Sequence, residues 1–144
     1  MITAPNGFDV PGLRVFLGGA IDAGEAPDWQ ADVAQALAGR KGLVLLNPRR
    51  PTLDPAELDD QITWELAALD AAHIIMMWFP ANTVAPIALL ETGLYLASGK
   101  IVIGAAEGYW RRRNLELVAV RHGVPLLDRL ADLVAFVADR CGEG

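Results

Sequence analysis

The amino-acid sequence predicts an α/β fold, in which a parallel β-sheet carries helices on both faces. Short apolar runs alternate along the chain with segments of helical periodicity, which is the pattern of repeated strand–helix units. The run from His73 to Phe79 is apolar after its first residue, as expected of a central strand covered on both faces. A chain of 144 residues can bury a substantial core, so we expect residues 1–144 to form a single domain.

The first half of the chain supplies two strands and two helices. Residues 14–18 form an apolar run that ends in glycine, and residues 43–46 form the second strand. Between them a helix is predicted over residues 28–39, because Asp28 can cap its first turn. A second helix begins at residue 54, where Asp-Pro-Ala-Glu resembles a capping box with proline at the first helical position. Its apolar stripe consists of Leu58, Ile62, Leu66 and Leu69.

The second half supplies three more strands and three more helices. The strands are predicted over residues 73–79, 101–103 and 124–127, and the helices over residues 86–98, 112–122 and 130–140. Gly99 and Gly123 each follow a helix, where glycine commonly ends the last turn. We expect the helix over residues 86–98 to be buried nearly all round, since two apolar stripes run along it.

Four loops are predicted at the carboxyl ends of the strands, where open α/β sheets bind their ligands. They gather polar, glycine and aromatic residues, and they cover residues 18–22, 47–50, 80–83 and 104–110. The helix that carries Glu91 begins at the third loop. Because helical side chains lean towards the N-terminus, we expect Glu91 to point back towards this cleft.

Two carboxylates are candidate catalytic residues. Glu91 lies in a stretch almost free of charge, and a buried carboxylate is costly unless it is paired or has a function. The alternative is a structural glutamate satisfied by backbone donors. Glu65 lies beside the apolar stripe of the preceding helix, and two carboxylates that converge near a strand end suit acid–base or nucleophilic chemistry. The alternative for Glu65 is an exposed helix residue.

Candidate binding residues follow the first three strands. Gly18 and Gly19 allow a ligand to approach the backbone closely, or they simply make a tight turn. Arg49 and Arg50 suit a phosphate or carboxylate, or they are two solvated arginines. The remaining candidates for substrate binding in these loops are Asp22, Asn47 and Asn82.

Charge and composition exclude several classes of function. The net charge of −6 argues against binding to nucleic acid polymers or to anionic membranes. Neither histidine has cysteine or carboxylate neighbours at metal-ligand spacing, so we expect no metal and no cofactor. The N-terminus does not resemble a signal peptide, and prolines interrupt the most apolar stretch, residues 71–90. We therefore expect a cytoplasmic protein.

Four segments of the sequence resemble one protein family. They are VFLGGAID from residue 15, NPRR from residue 47, QITWELAALDAAHIIMMWF from residue 61, and LLETGLYLASGKIVIG from residue 89. Over about residues 15–127 they resemble the nucleoside 2-deoxyribosyltransferase superfamily, and most closely its nucleoside 2-deoxyribosyltransferase-like branch. The string Glu-x-Gly-x-x-x-Ala-x-Gly-Lys, residues 91–100, is the most specific part of the resemblance.

The resemblance implies a three-layer Rossmann-like (flavodoxin-like) fold with a five-stranded parallel sheet. It implies cleavage of N-glycosidic bonds in nucleosides or nucleoside 5′-monophosphates, by base exchange or by hydrolysis. In such an enzyme Glu91 is the nucleophile that forms a glycosyl-enzyme, and Glu65 assists at the base or the sugar. Gly18, Gly19 and Asp22 are then expected to contact the sugar. The resemblance also implies a homodimer or a higher homo-oligomer, with sites near the subunit contacts.

Two departures from the family pattern favour hydrolysis over base exchange. Phe16 stands where the family has a tyrosine, and Ala85 stands where the transferases carry an aspartate. Glu65 itself replaces a family aspartate and is one methylene longer. Two other classes remain open: a nucleotide-binding or sensing module without turnover, and an oligomeric structural protein with an interface at Trp110 and residues 111–113.

Overall fold

A computed structural model describes residues 1–22 and 25–142, and within them the backbone forms six strands and five α-helices. The strands are β1 (Ile2–Thr3), β2 (Leu13–Gly19), β3 (Leu43–Asn47), β4 (Ile74–Phe79), β5 (Ile101–Ala105) and β6 (Leu126–Leu127). The helices are α1 (Trp29–Ala36), α2 (Leu58–Ala71), α3 (Pro86–Tyr95), α4 (Arg112–His122) and α5 (Leu130–Arg140). A 3₁₀ turn, Pro55–Glu57, precedes α2. In this described part of the chain, no helix has the length and apolar character needed to cross a membrane.

The strands form one sheet in the order β1-β3-β2-β4-β5-β6, and every strand pair is parallel. The predicted α/β fold with a parallel sheet is therefore confirmed. The expected number of five strands is wrong, because the described residues contain six. The additional strand is β1, whose two residues pair with Leu46 and Asn47 at the edge of the sheet. Two residues are too few to give a periodic signal in the sequence.

The direction of the chain across the sheet reverses beside β2. From β2 the chain runs through α1 to β3 on one side, and from β3 it runs through α2 to β4 on the other side. The loops that leave β2 and β4 therefore diverge, which opens a crevice at the carboxyl ends of these strands. Gly19 lies at this point with a φ of 141°, and an added Cβ would lie 2.1 Å from the carbonyl oxygen of Trp78. The close pairing of β2 with β4 thus requires glycine here.

Two hydrophobic clusters cover the two faces of the sheet. On one face α2, α3 and α4 contribute residues such as Leu69, Ala88 and Leu115. On the other face α1 and α5 contribute Val33 and Leu133. Between the two clusters lies β4, in which all six residues are buried, so the interpretation of this run as a central strand is confirmed.

The outward sides of α2 and α3 are apolar but uncovered. The expectation that α3 is buried nearly all round is wrong, and of the stripe predicted along α2 only Leu69 faces the core. The sheet covers only one side of each helix, while the apolar residues extend round to the other side. We call the six exposed side chains, each 42–61% exposed, the α2–α3 apolar face: Leu58, Ile62, Leu66, Ile87, Leu90 and Leu94.

Candidate active site

Glu91 lies in the second turn of α3 and is buried, with 6% of its surface exposed. Within the described residues no group donates a hydrogen bond to its carboxylate, so the backbone does not satisfy it. Burial raises the pKa of Glu91 from 4.5 to about 8, and the neighbouring Glu65 carboxylate also contributes to this rise. A carboxylate with this cost and without hydrogen-bonding compensation is typical of a functional site.

Glu65 lies on α2, close enough to Glu91 on α3 for its carboxylate to raise the pKa of Glu91, and we call the region between these two helices the groove. Its side chain is partly buried. Burial raises the pKa of Glu65 from 4.5 to about 7, although a hydrogen bond from Gln61 and the charge of Arg50 both lower it. The structure thus brings together the two carboxylates that the sequence singled out. Because they interact, the two carboxyl groups titrate as a pair and hold about one proton between them near neutral pH.

Arg50 is a buried guanidinium that helps to hold this groove. Its Nε donates to Oε1 of Gln61 at 2.6 Å, and its Nη1 forms a salt bridge of 2.6 Å with Oε2 of Glu57. Gln61 is fixed in turn by a hydrogen bond of 2.8 Å from its Nε2 to the carbonyl oxygen of Pro48. Nη2 of Arg50 is buried and has no partner within the described residues. Arg50 therefore places a positive charge near Glu65 without forming a salt bridge to it.

Arg49 points away from Arg50 and ties the loop after β3 to the segment that precedes α1. Its Nη1 donates to the carbonyl oxygen of Pro27 at 2.9 Å and its Nη2 to that of Ala26 at 2.6 Å. The buried Asn47 accepts a hydrogen bond of 2.9 Å from the backbone N–H of Arg49. The side chains of both arginines thus form hydrogen bonds within the protein. The expected binding of a phosphate or carboxylate by the two arginines, and of substrate by Asn47, stays a prediction.

Asp22 fixes the start of α3. Its two carboxylate oxygens accept hydrogen bonds from the backbone N–H groups of Val84, at 2.8 Å, and Ala85, at 2.9 Å. Asp22, Asn82 and Ala85 all have positive φ angles, of 47°, 62° and 50°. Non-glycine residues in this region are strained and cluster at functional sites. Asp22 therefore links the loop after β2 to the helix that carries Glu91, and its expected contact with a sugar stays a prediction.

Tyr109, which no motif in the sequence singles out, holds the same loop from the other side. Its buried hydroxyl donates to the carbonyl oxygen of Val84 at 2.7 Å, and Nε1 of Trp110 donates to the same oxygen at 3.3 Å. The indole of Trp110 is 58% exposed and stacks under the guanidinium of Arg111 at 4.4 Å. The signal that the sequence offers is an aromatic residue in a cleft loop. The partner of Tyr109, Val84, is distant in sequence, so this contact could not be predicted.

Lys100, the last residue of the string that begins at Glu91, binds the C-terminal end of α2. Its Nζ donates to the carbonyl oxygens of Leu69, Asp70 and Ala72, at 2.7, 3.0 and 2.9 Å. These oxygens lie at the C-terminus of α2, where a cation also interacts favourably with the helix dipole. The hydroxyl of Tyr95 on α3 donates to the carboxylate of Asp70. Lys100 and Tyr95 thus join the ends of the two helices that carry Glu65 and Glu91.

The remaining predicted binding residues are accounted for by packing or lie at the surface. A Cβ added to Gly18 would lie 2.4 Å from the sulfur of Met77, so a larger residue here would displace the end of that side chain. Asn82 is exposed in the loop before α3. A ligand contact at either residue stays a prediction. In residues 1–22 and 25–142 no cluster of three or more histidine, cysteine or acidic residues could hold a metal ion.

A cavity of about 400 Å³ lies at the opposite end of the sheet from this groove. It is lined by residues at the amino ends of two strands, including Leu13 and Leu43, together with Arg40, Lys41 and Cys141. Glu65 and Glu91 do not line it. We assign the candidate active site to the groove between α2 and α3, because the displaced pKa values and the strained loop converge there.

Comparison with known proteins supports the family resemblance described above. A family model described as "Nucleoside 2-deoxyribosyltransferase like" matches residues 12–109, which include both carboxylates. A solved structure, described as a conserved protein from Enterococcus faecalis V583, has a TM-score of 0.65 at 11% identity. The match covers 90% of this chain and 99% of that one, and at this identity it supports the fold alone. No curated protein matches the sequence.

Proposed function

Because the chain belongs to the nucleoside 2-deoxyribosyltransferase-like family, we propose that it cleaves or transfers the N-glycosidic bond of a nucleoside or a nucleoside 5′-monophosphate, with Glu91 as the nucleophile. The observation that carries the proposal is the buried pair of interacting carboxyl groups, Glu65 and Glu91. Two carboxylates on either side of an oxocarbenium-like centre are the arrangement that retaining glycoside chemistry uses.

In the proposed reaction, an oxygen of the Glu91 carboxylate attacks the anomeric carbon and forms a C–O bond. The C–N bond to the base breaks, and its electron pair leaves with the base. Glu65 in its protonated form supplies the proton that the departing base needs. Water then attacks the anomeric carbon of the glycosyl-enzyme, returns its proton to Glu65 and frees Glu91. An acceptor base in place of water would give transfer.

The order of the two pKa values sets a condition on this mechanism. In the free chain the higher pKa belongs to Glu91, at about 8, and the lower one to Glu65, at about 7. The proton must therefore lie on Glu65 rather than Glu91 when the substrate reacts. Positive charge develops on the sugar as the C–N bond breaks, and this charge favours an ionised Glu91, so the transition state itself favours the required position of the proton.

The proposal also concerns the ligands of the chain and its assembly. The chain acts without a cofactor, on a small molecule rather than a nucleic acid polymer, and as a homo-oligomer. Hydrolysis is preferred to base exchange, because Phe16 lacks the hydroxyl of the family tyrosine and Ala85 lacks a carboxylate. The backbone N–H of Ala85 donates to Asp22, whose two carboxylate oxygens are both engaged with the backbone of this loop and therefore do not replace the missing side chain.

A panel of nucleosides and nucleoside 5′-monophosphates tests the reaction. Free base is measured by chromatography, with and without an acceptor base, so that hydrolysis and transfer are separated. We expect Glu91→Gln to lower the rate on the order of 10³-fold or more, since the covalent step needs this oxygen. Asp132→Asn, an exposed carboxylate on α5 at the other face of the sheet, serves as the matched control and should leave the rate unchanged. Undiminished release of base by Glu91→Gln would refute the assigned role.

A nucleotide-binding module without turnover is the second candidate function. It is favoured by Phe16 and Ala85, which stand where the family has a tyrosine and the transferases an aspartate, so that two polar groups that would assist turnover are missing. Calorimetric titration with nucleoside monophosphates distinguishes the two functions. Tight binding without free base after long incubation would support this module, whereas any cleavage that requires Glu91 would exclude it.

A further inference from the structure

Gln61 is a buried residue whose amide group is held at both of its ends. Its Oε1 accepts the hydrogen bond of 2.6 Å from Nε of Arg50, and its Nε2 donates at 2.8 Å to the carbonyl oxygen of Pro48. An arginine side chain can only donate and a backbone carbonyl can only accept, so each contact by itself identifies the oxygen and the nitrogen of the amide. The reversed orientation would lose both hydrogen bonds, and the amide of Gln61 is therefore fixed.

Three side chains form a row along α2 that ends at Glu65. Glu57, Gln61 and Glu65 follow one another at intervals of four residues, which places them on one side of the helix. Arg50 lies across the first two, since its Nη1 binds Glu57 and its Nε binds Gln61. The carboxylate of Glu57 balances the charge of Arg50. The influence of Arg50 on Glu65 therefore passes largely through the amide that stands between them.

The second N–H of the Gln61 amide is the group that acts on Glu65. Nε2 carries two hydrogens, and the carbonyl oxygen of Pro48 takes one of them. Burial raises the pKa of Glu65 to about 7, and the hydrogen bond from Gln61 opposes this rise more strongly than the charge of Arg50 does. Glu91 has no such donor among the described residues, and its pKa rises to about 8. The two carboxyl groups thus differ in one fixed donor.

The side chain of Arg50 is placed at a cost that stability alone does not explain. It is only 9% exposed, and its Nη2 has no partner in the part of the chain that the structure describes. A buried donor without a partner is destabilising. An arginine at this position nevertheless keeps the oxygen of Gln61 turned away from Glu65, because a guanidinium has donors and no acceptor.

The charged groups that act on the two carboxyl groups come from three parts of the fold. Arg50 acts on Glu65 from the loop after β3, and Glu65 on α2 and Glu91 on α3 act on each other. Tyr95, one turn after Glu91, donates its hydroxyl to Asp70. Because the pair holds about one proton near neutral pH, a donor fixed on one of the two carboxyl groups decides where that proton lies.

We propose that Gln61 directs the proton shared by Glu65 and Glu91: its fixed amide offers Glu65 a donor, so without substrate Glu65 is the ionised member of the pair and Glu91 holds the proton. Gln61 is a positioning residue, since it acts through Glu65. Its part in catalysis rests on the proposed function. There the proton moves from Glu91 to Glu65 as charge develops on the sugar, leaves Glu65 with the base, and the N–H of Gln61 binds the carboxylate that remains.

The position of the proton is measured by NMR of the carboxyl carbons in glutamate-labelled protein, titrated without substrate. In the wild type we expect Glu65 to ionise before Glu91. Gln61→Met keeps the length of the side chain and removes the donor, so the pKa of Glu65 should rise by about one unit and Glu65 should no longer ionise first. Gln35→Met, at an exposed glutamine on α1, is the matched control and should leave both carboxyl groups unchanged.

A second comparison tests whether Arg50 acts through Gln61. Without Arg50 the amide can turn its oxygen towards Glu65, so Arg50→Met should raise the pKa of Glu65. Combined with Gln61→Met, it should raise this pKa by less than the sum of the two separate rises. Far-UV circular dichroism checks the fold of each variant, and Arg50→Met carries the test if Gln61→Met does not fold.

Three results would overturn the proposal: a wild type in which Glu91 ionises first, an unchanged pKa of Glu65 in Gln61→Met, and additive rises in the combined variant. The last would show that Arg50 acts on Glu65 by its charge alone. None of these measurements depends on turnover. A chain without glycosidase activity would therefore refute the proposed function and leave the direction of the proton standing.

Discussion

Replacing Glu91 by glutamine is expected to stabilise the folded chain at alkaline pH while it abolishes the proposed reaction. Folding raises the pKa of Glu91 from 4.5 to about 8, so the folded state binds a proton more tightly than the unfolded state does. The contribution of Glu91 to stability is therefore fully present below about pH 4.5 and is lost as the pH rises through about 8. Glutamine has almost the same shape and carries no charge at any pH.

The magnitude follows from the displacement of the pKa. At 1.36 kcal/mol per unit, the rise from 4.5 to about 8 corresponds to roughly 5 kcal/mol as an upper limit. Part of this cost is shared with Glu65, and local rearrangement and water relieve another part, so we expect a gain of about 2–3 kcal/mol at pH 9. At about pH 5 the gain should be small, because Glu91 is protonated in the folded state and is then as uncharged as glutamine.

Urea unfolding at several pH values between about 5 and 9 measures this gain. The free energy of unfolding is compared between the wild type and Glu91→Gln, with Asp132→Asn as the exposed-carboxylate control. The difference should grow with pH for Glu91→Gln and stay flat for Asp132→Asn. A Glu91→Gln variant that is less stable than the wild type at pH 9, or a difference that does not change with pH, would refute the view that Glu91 is an uncompensated buried acid.

Three further substitutions test how the groove is held. Asp22→Asn replaces one acceptor oxygen by an N–H donor that faces the backbone N–H groups at the start of α3, so kcat/KM for base release should fall about tenfold. Asparagine tolerates the positive φ at this position, so the melting temperature should be unchanged. Lys100→Met leaves the last carbonyls of α2 without their cation and should cost about 1–2 kcal/mol of unfolding free energy, whereas the control Lys41→Met should be neutral in the same urea titration. Arg50→Gln removes the positive charge that lowers the pKa of Glu65, so the limb of the pH–rate profile governed by Glu65 should move to higher pH, and a shift to lower pH would contradict the assignment.

Sequence reasoning succeeded where a single element carried the signal. The unbroken apolar run predicted β4, and the isolation of Glu91 among apolar residues predicted its burial. It failed where the outcome depends on a partner distant in sequence. The strand β1 exists only because β3 lies beside it. The spacing of leucines on α2 and α3 shows that each has an apolar side, but it does not show whether that side meets the sheet or a surface outside it.

The polar residues of the site illustrate the same limit. A pair of arginines after a strand predicts an anion site from residue type alone. In the structure the guanidinium of Arg49 donates to the carbonyl oxygens of Ala26 and Pro27, and this contact depends on the tertiary fold rather than on the arginine pair. The family resemblance implies that Asp22 contacts the sugar. In the structure its carboxylate serves the backbone of the loop before α3, a contact that becomes visible only when β2 and β4 lie side by side.

The strain and the buried charges belong to one arrangement, since both are costs that stability alone would remove. Two non-glycine residues with positive φ, Asn82 and Ala85, directly precede α3, and Asp22 and Tyr109 hold this loop in place. Those contacts fix the position of α3, and α3 carries Glu91 into a groove where its ionised form is disfavoured. An alanine or glutamine would relieve the cost, so the presence of Glu91 beside the partly buried Glu65 supports the proposed chemistry, which needs a carboxylate released from water.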